Sequence, residues 1–198
     1  SGVMAIHFGV TSIGVPLWVA DHTDAPTVLV SLLLVVNTVY VALFQVRASR
    51  GTHDIATAGR AVRGAGFLLL AACILFAGAA YTGPVFATCL LLLAALAASA
   101  AETRGEAGSW GLAFELADQE RAGAYQGVSQ MGYALAHMLA PLVVTATAID
   151  HGTGGWMVLG ALFAVTGILT AVLARHAAAA RAGDQAQRSE YVASETPV

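Results

Sequence analysis

Hydrophobic positions fall in six long runs along this chain, at about 3–20, 25–46, 64–80, 85–101, 122–149 and 152–174. The runs are continuously apolar and do not alternate, which excludes the period-two pattern of lipid-facing barrel strands and predicts helices. A hydrocarbon core of about 30 Å takes about 20 helical residues at 1.5 Å each, and most of the runs have that length. The third and fourth are shorter, and no charge interrupts the stretch from Gly64 to Ala101. Tyr81-Thr82-Gly83-Pro84 divides it, because Gly-Pro is a turn signal and Pro suits the first turn of a new helix. For the fourth helix two ends are open, one near Ala101 and one near Leu116.

Charge adds an orientation. All nine basic residues are Arg. Arg47, Arg50, Arg60 and Arg63 lie between the second and third runs, Arg104 and Arg121 between the fourth and fifth, and Arg175, Arg181 and Arg188 after the sixth. The alternate gaps hold Asp21, His22, Asp24, the Tyr81–Pro84 turn, Asp150 and His151, with no Arg. Under the positive-inside rule six crossings then place both termini in the cytoplasm. An undivided 64–101 segment would invert every later loop and break this order. The expected fold is an all-α integral membrane bundle of six transmembrane helices in the cell (inner or plasma) membrane, with the lipid bilayer as its surroundings. Composition agrees: 58% of residues are hydrophobic and 11% charged, against about 25% charged in soluble domains. A net charge of −3 points to no charged partner, nucleic acid included. Trp18 and Trp156 at the outer ends and Trp110 near the inner side suit an aromatic belt. Residues 175–198 turn polar and predict a flexible cytoplasmic tail. The chain opens with Ser1-Gly2 directly before an apolar run, with no basic n-region, and is expected to be a piece of a longer protein.

Polar residues inside the runs carry what chemistry there is. Gln126, Gln130, Tyr133 and His137 are spaced four, three and four apart, which stacks them on one helix face. Such side chains are costly against lipid and turn toward a bundle or cavity, so they are candidates for a substrate pathway, or for interhelical hydrogen bonding. Asn37 and Gln45, about two turns apart on the second helix, carry the same two readings. His7 is a candidate proton-relay group. Glu102 is an ordinary helix-end residue if the fourth helix stops near Ala101. If that helix runs on toward Leu116, Glu102 becomes a titratable group at membrane depth and a proton-coupling candidate. Gly123 and Gly127, with Gly132, Ala136 and Ala140, and Gly155, Gly160 and Gly167 predict close helix packing. Cys73 and Cys89 read as small apolar fillers. Nothing has the spacing of a metal set, a Walker A loop or a nucleophile–base pair, so neither a cofactor nor an enzymatic reaction is expected.

The stretch Gly108-Ser109-Trp110-Gly111 through Gln126-Gly127-Val128, followed by Ala140-Pro141, resembles the cytoplasmic link between helices 10 and 11 of major facilitator superfamily carriers and the helix after it. Gly14-Val15-Pro16-Leu17-Trp18 and Asn37-Thr38-Val39-Tyr40 to Gln45-Val46 resemble helices 7 and 8 of bacterial drug-efflux-type members. The superfamily's G-x-x-x-D-R-x-G-R-R loop has only a loose echo in Gly51, Asp54, Gly59 and Arg60, at altered spacing, so its gating role does not transfer. The resemblance implies the C-terminal six-helix half of a secondary transporter, built as two inverted three-helix repeats. It further implies proton-coupled efflux of a small molecule, a substrate site shared with a missing N-terminal half, and Gln126, Gln130, Tyr133 and His137 as lining. A self-contained six-helix membrane protein with a structural or enzymatic role is the alternative.

Overall fold

The computed structural model describes residues 2–50, 52, 54–116 and 122–195. Those residues form helices and short turns, with no strand among them. Helices α1 (Gly2–Gly9) and α2 (Val15–His22) are joined without a break by a π-helical turn, Val10–Gly14, and make one rod. Then come α3 (Leu29–Ser49), α4 (Ile55–Ala79), α5 (Pro84–Leu116), α6 (Ala122–Val144) and α7 (Gly152–Glu195). A second π turn, Thr145–Ile149, ends α6. Five helices, α3 to α7, are long and apolar enough to cross a membrane. The two pieces of the first rod have eight residues each and do not reach that length singly. The chain is an all-helical, multi-pass membrane protein.

Three helices, α4, α5 and α7, are longer than the apolar runs. Helix α4 starts at Ile55 because Asp54 caps it: the Thr57 backbone N–H donates to its carboxylate at 2.8 Å. That bond holds the Asp54 carboxyl below its ordinary range. The cap is therefore intact above the usual carboxylate pKa and weakens as pH falls through the lowered value. Helix α5 does not stop at Ala101 but runs to Leu116. Ala101, Gly105 and Gly108 are buried at i, i+4 and i+7. A Cβ on Gly108 would meet the Ala58 carbonyl at 2.7 Å, so this small-residue face lets α5 lie directly on the start of α4.

At the other end of the chain, α7 continues through the segment predicted to be a flexible tail, as far as Glu195. Ala177 to Ala180 and the Arg, Gln and Glu that follow are strong helix formers, and polarity alone does not end a helix. Gly152 has φ +56°, which lets the backbone turn sharply from α6 into α7.

The core is centred on α4, which packs along both α5 and α7, while α3 packs on α5 and α1 on α6. Trp18 and Trp156 overturn the belt expectation. They are 1% and 0% exposed, packed edge to face at 5.7 Å, and Trp18 Nε1 donates to the Phe76 carbonyl at 2.7 Å. Their rings tie α2, α4 and α7 together; position near a helix end says nothing about which way a ring faces.

The glycines divide sharply. A Cβ on Gly160 would meet Leu70 at 2.8 Å, and one on Gly66 the Phe163 carbonyl at 2.6 Å, so α4 and α7 touch through their backbones. Gly123, Gly127 and Gly132 of α6 have nothing within 4 Å among the described residues, and the close packing expected of them is not made there. Gly66→Ala is expected to destabilise the bundle by about 1–3 kcal/mol, since a backbone carbonyl cannot give way. Gly64→Ala, with no atom within 4 Å, should raise stability by about 0.5–1 kcal/mol through helix propensity. Thermal unfolding of the two variants in detergent checks the pair; equal shifts would disprove the backbone contact.

Candidate functional site

Glu102 is where the polar groups converge. Because α5 runs on, this carboxylate sits inside the bundle and not at a helix end. Asn37 of α3 donates through Nδ2 to Glu102 Oε2 at 2.8 Å and to Ser99 Oγ at 3.1 Å. Ser99 in turn donates to the Ala95 carbonyl at 2.8 Å, which directs its lone pairs at the Asn37 amide. From α1, His7 Nε2 lies 3.9 Å from the same carboxylate oxygen. His7 is 2% exposed, and among the described residues neither ring nitrogen has a hydrogen-bond partner. Two helices, α1 and α3, thus aim polar groups at one acid of α5.

A cavity of about 650 Å³ opens beside that cluster, between α4, α5, α6 and α7. It exists because α6 packs on α1 and touches α5 little. Glu102 and Glu106 stand on its α5 wall, and Gln126, Ser129, Gln130 and Tyr133 on its α6 wall. Thr166 and Thr170 add hydroxyls from α7. A second opening of about 680 Å³ lies between α3 and α5 and is bordered by Gln45. Glu102, Glu106 and Trp110 line both openings, so α5 is the partition between them. No basic side chain is among the described lining residues of either. Arg104, two positions from each acid, is exposed and does not line them.

The residues singled out by sequence are distributed as follows. Gln126, Gln130 and Tyr133 face the cavity together with Glu102. His137 does not line it; its ring lies against Phe8 at 4.9 Å and Tyr133 at 6.2 Å, on the side where α6 meets α1. Asn37 and Gln45 do not share a cavity: Asn37 bonds Glu102, and Gln45 borders the second opening. His7 is buried against Glu102. Ser99, Glu106, Trp110 and Ser129 were not among the site candidates read from the sequence. A signal existed in the i, i+4, i+8 spacing of Glu102, Glu106 and Trp110, which is one face of a helix. It is readable only once that helix is known to extend past Ala101.

Chemically the arrangement offers acceptors, hydroxyls and an indole, with two carboxylates one helical turn apart on the same wall. Among the described residues no three His, Cys, Asp or Glu side chains gather as a metal site. The cavity is suited to holding a small molecule or moving a proton at Glu102. Cys73 is buried against Gly160 and Cys89 is exposed on α5; neither touches this region. No family model, no curated protein and no solved structure matches the chain.

Proposed function

We propose that this chain is one six-helix half of a secondary active transporter, with the first rod as its sixth crossing. It moves a small molecule out across the cell membrane by alternating access, coupled to protons at Glu102. The observation that carries the proposal is where the bundle is bare. Only 11% of the apolar window of α3 and 17% of that of α6 are buried, against 39% for each of α4, α5 and α7. Those two helices carry Asn37, Gln45, Gln126, Gln130, Tyr133 and His137. Polar side chains at membrane depth turn toward protein or a wet cavity, so the faces of α3 and α6 call for a cover. The glycines of α6, spaced for close packing yet meeting nothing, call for the same partner.

The helix pairing supports the repeat architecture. Exchanging the first three rods for the last three maps the α1–α6 contact onto the α5–α3 contact, and α4–α7 onto itself. Those two pairings follow the exchange expected of two inverted three-helix repeats, while the close α4–α5 pairing has no equally close counterpart between α7 and the first rod. The covering partner in this proposal is the N-terminal half of such a carrier, and the substrate site lies between the halves. Gradient-driven uptake that needs both this chain and a second six-helix half tests the reading.

Orientation is tested separately. In a background with Cys73 and Cys89 replaced by Ala, single cysteines at Thr23 or Gly152 should react with an impermeant thiol reagent added outside intact cells. Cysteines at Ser49 or Gly183 should react only after permeabilisation. Labelling at Ser49 from outside would invert the proposed topology.

A further inference from the structure

We propose that His7 is the positioning residue that turns protonation of Glu102 into movement of the cavity wall. A proton on Glu102 gives the imidazole a hydrogen-bond donor, draws α1 toward α5 and brings α6 with it. This deepens the transport reading and rests on its assignment of proton exchange to Glu102.

An unmade bond carries the inference. His7 Nε2 lies 3.9 Å from Glu102 Oε2, about 1 Å beyond hydrogen-bond reach. The ring is 2% exposed, and among the described residues neither of its nitrogens has a partner. Buried polar groups are ordinarily satisfied, so this gap is an exception. An ionised carboxylate has no hydrogen to give, and a neutral imidazole protonated at Nδ1 offers only a lone pair at Nε2. Once protonated at Oε2, Glu102 donates its O–H to Nε2 and still accepts from Asn37 Nδ2, which already lies at 2.8 Å. The proton enters and leaves from the solvent side of the cavity that Glu102 lines, and no other covalent bond forms or breaks.

The packing gives that pull a direction. Helix α2 is pinned by Trp18, whose Nε1 donates to the Phe76 carbonyl at 2.7 Å. Helix α1 joins it through the π turn Val10–Gly14, and such turns are frequent at functional points of a helix. Helix α6 ends in its own π turn, Thr145–Ile149, and the two turns pack on each other. The backbones beside them are in close contact: a Cβ on Gly9 would meet Ala140 at 2.6 Å, and one on Gly14 would meet Val144 at 2.6 Å. Helices α1 and α6 therefore swing as a pair against α5, which α6 touches little. The moving wall carries Gln126, Gln130 and Tyr133. Other titratable groups near the pair are Glu106 on α5, on which a positive chain terminus acts, and Tyr133 and His137 on α6. Helix α3 contributes the neutral Asn37, and among the described residues α4 and α7 line the cavity with no titratable side chain.

Nitrogen NMR of the full chain with isotope-labelled histidine, one chain per lipid nanodisc, tests the bond. The chain has six histidines, and the His7 signal is the one missing from His7→Gln. On acidification that signal should shift to that of an imidazole accepting a hydrogen bond at Nε2. In a Cys73→Ala, Cys89→Ala background, Gln126→Cys should then react roughly fivefold more slowly with a soluble thiol reagent, the shift that one net hydrogen bond supports. Rates are normalised to Thr23→Cys, which removes the thiol's own pH dependence. Glu102→Gln, whose amide N–H donates to Nε2 at any pH, should hold the slow rate throughout. His7→Leu should hold the fast rate, and His7→Gln, which can accept but not titrate, should restore the pH response. Should His7→Leu fail to fold, the NMR shift and Glu102→Gln still decide. An invariant His7 signal, or a pH response that survives in folded His7→Leu, overturns the proposal. So does a response lost in Glu106→Gln or His137→Phe and kept in Glu102→Gln. The full pH response in a chain whose assembled carrier moves substrate without protons would remove the coupling reading and leave the switch. Proton-coupled transport undiminished in His7→Leu would do the reverse.

Discussion

Vesicles containing the 198-residue chain alone are expected to show no saturable, gradient-driven uptake or efflux of any substrate. Supplying the complementary six-helix half should restore it. The reason is the unburied polar face. Gln126 and Gln130 are exposed on α6, and α3 is the barest of the five candidate spans. In lipid an unsatisfied polar group costs several kcal/mol, so an uncovered face of this kind is unstable there. The chain by itself should therefore self-associate through α3 and α6 and run as polydisperse oligomers in size-exclusion chromatography. Co-expression with the other half should give a monodisperse complex. Saturable transport by the purified chain alone would refute the half-carrier reading. A well-defined dimer active without any second protein would replace the missing half by a second copy.

The second large effect concerns Glu102. In the assembled carrier Glu102→Gln should lower gradient-driven transport by about a hundredfold or more, about 2.7 kcal/mol in the barrier. The side chain keeps its size and can keep its bond with Asn37, but it can no longer bind or release a proton. Substrate exchange without a proton gradient should survive better than net transport, which separates loss of coupling from loss of the fold. Gln130→Ala and Tyr133→Ala, on the opposite wall of the cavity, should impair both modes alike. Leu142→Ala, 68% exposed and away from the cavity, should change little. Full net transport by Glu102→Gln would remove the carboxylate from the coupling mechanism.

The hydropathy pattern reaches furthest where the bilayer itself sets the rule. Apolar run length, the Gly83-Pro84 break and the one-sided Arg positions predict helices, their approximate limits and a sidedness, because lipid accepts few other arrangements. The same logic picked out the α6 stripe, since Gln126, Gln130 and Tyr133 repeat at helical spacing. It stopped short where polar residues continue a helix. Helix α5 extends through Glu102, Arg104 and Glu106 because small residues at Ala101, Gly105 and Gly108 pack on α4. Nothing local to those charges announces that contact.

Which way a side chain faces was likewise a matter of packing partners. Trp18 and Trp156 sit near helix ends, as belt residues do, yet they are buried against each other and Phe76. His137 belongs to the polar stripe by spacing, but the closeness of α1 turns its ring onto Phe8. By itself, then, the sequence determined a helical membrane chain and a short set of polar residues that lipid would not tolerate. Only the tertiary structure decided that His7 and Asn37 converge on Glu102 from two segments far apart in the chain, and that Glu106 shares its cavity. Helix spacing is periodic and local, and can be read along one segment. The meeting of α1, α3, α5 and α6 depends on how far each small residue lets its neighbour approach, which no single segment contains.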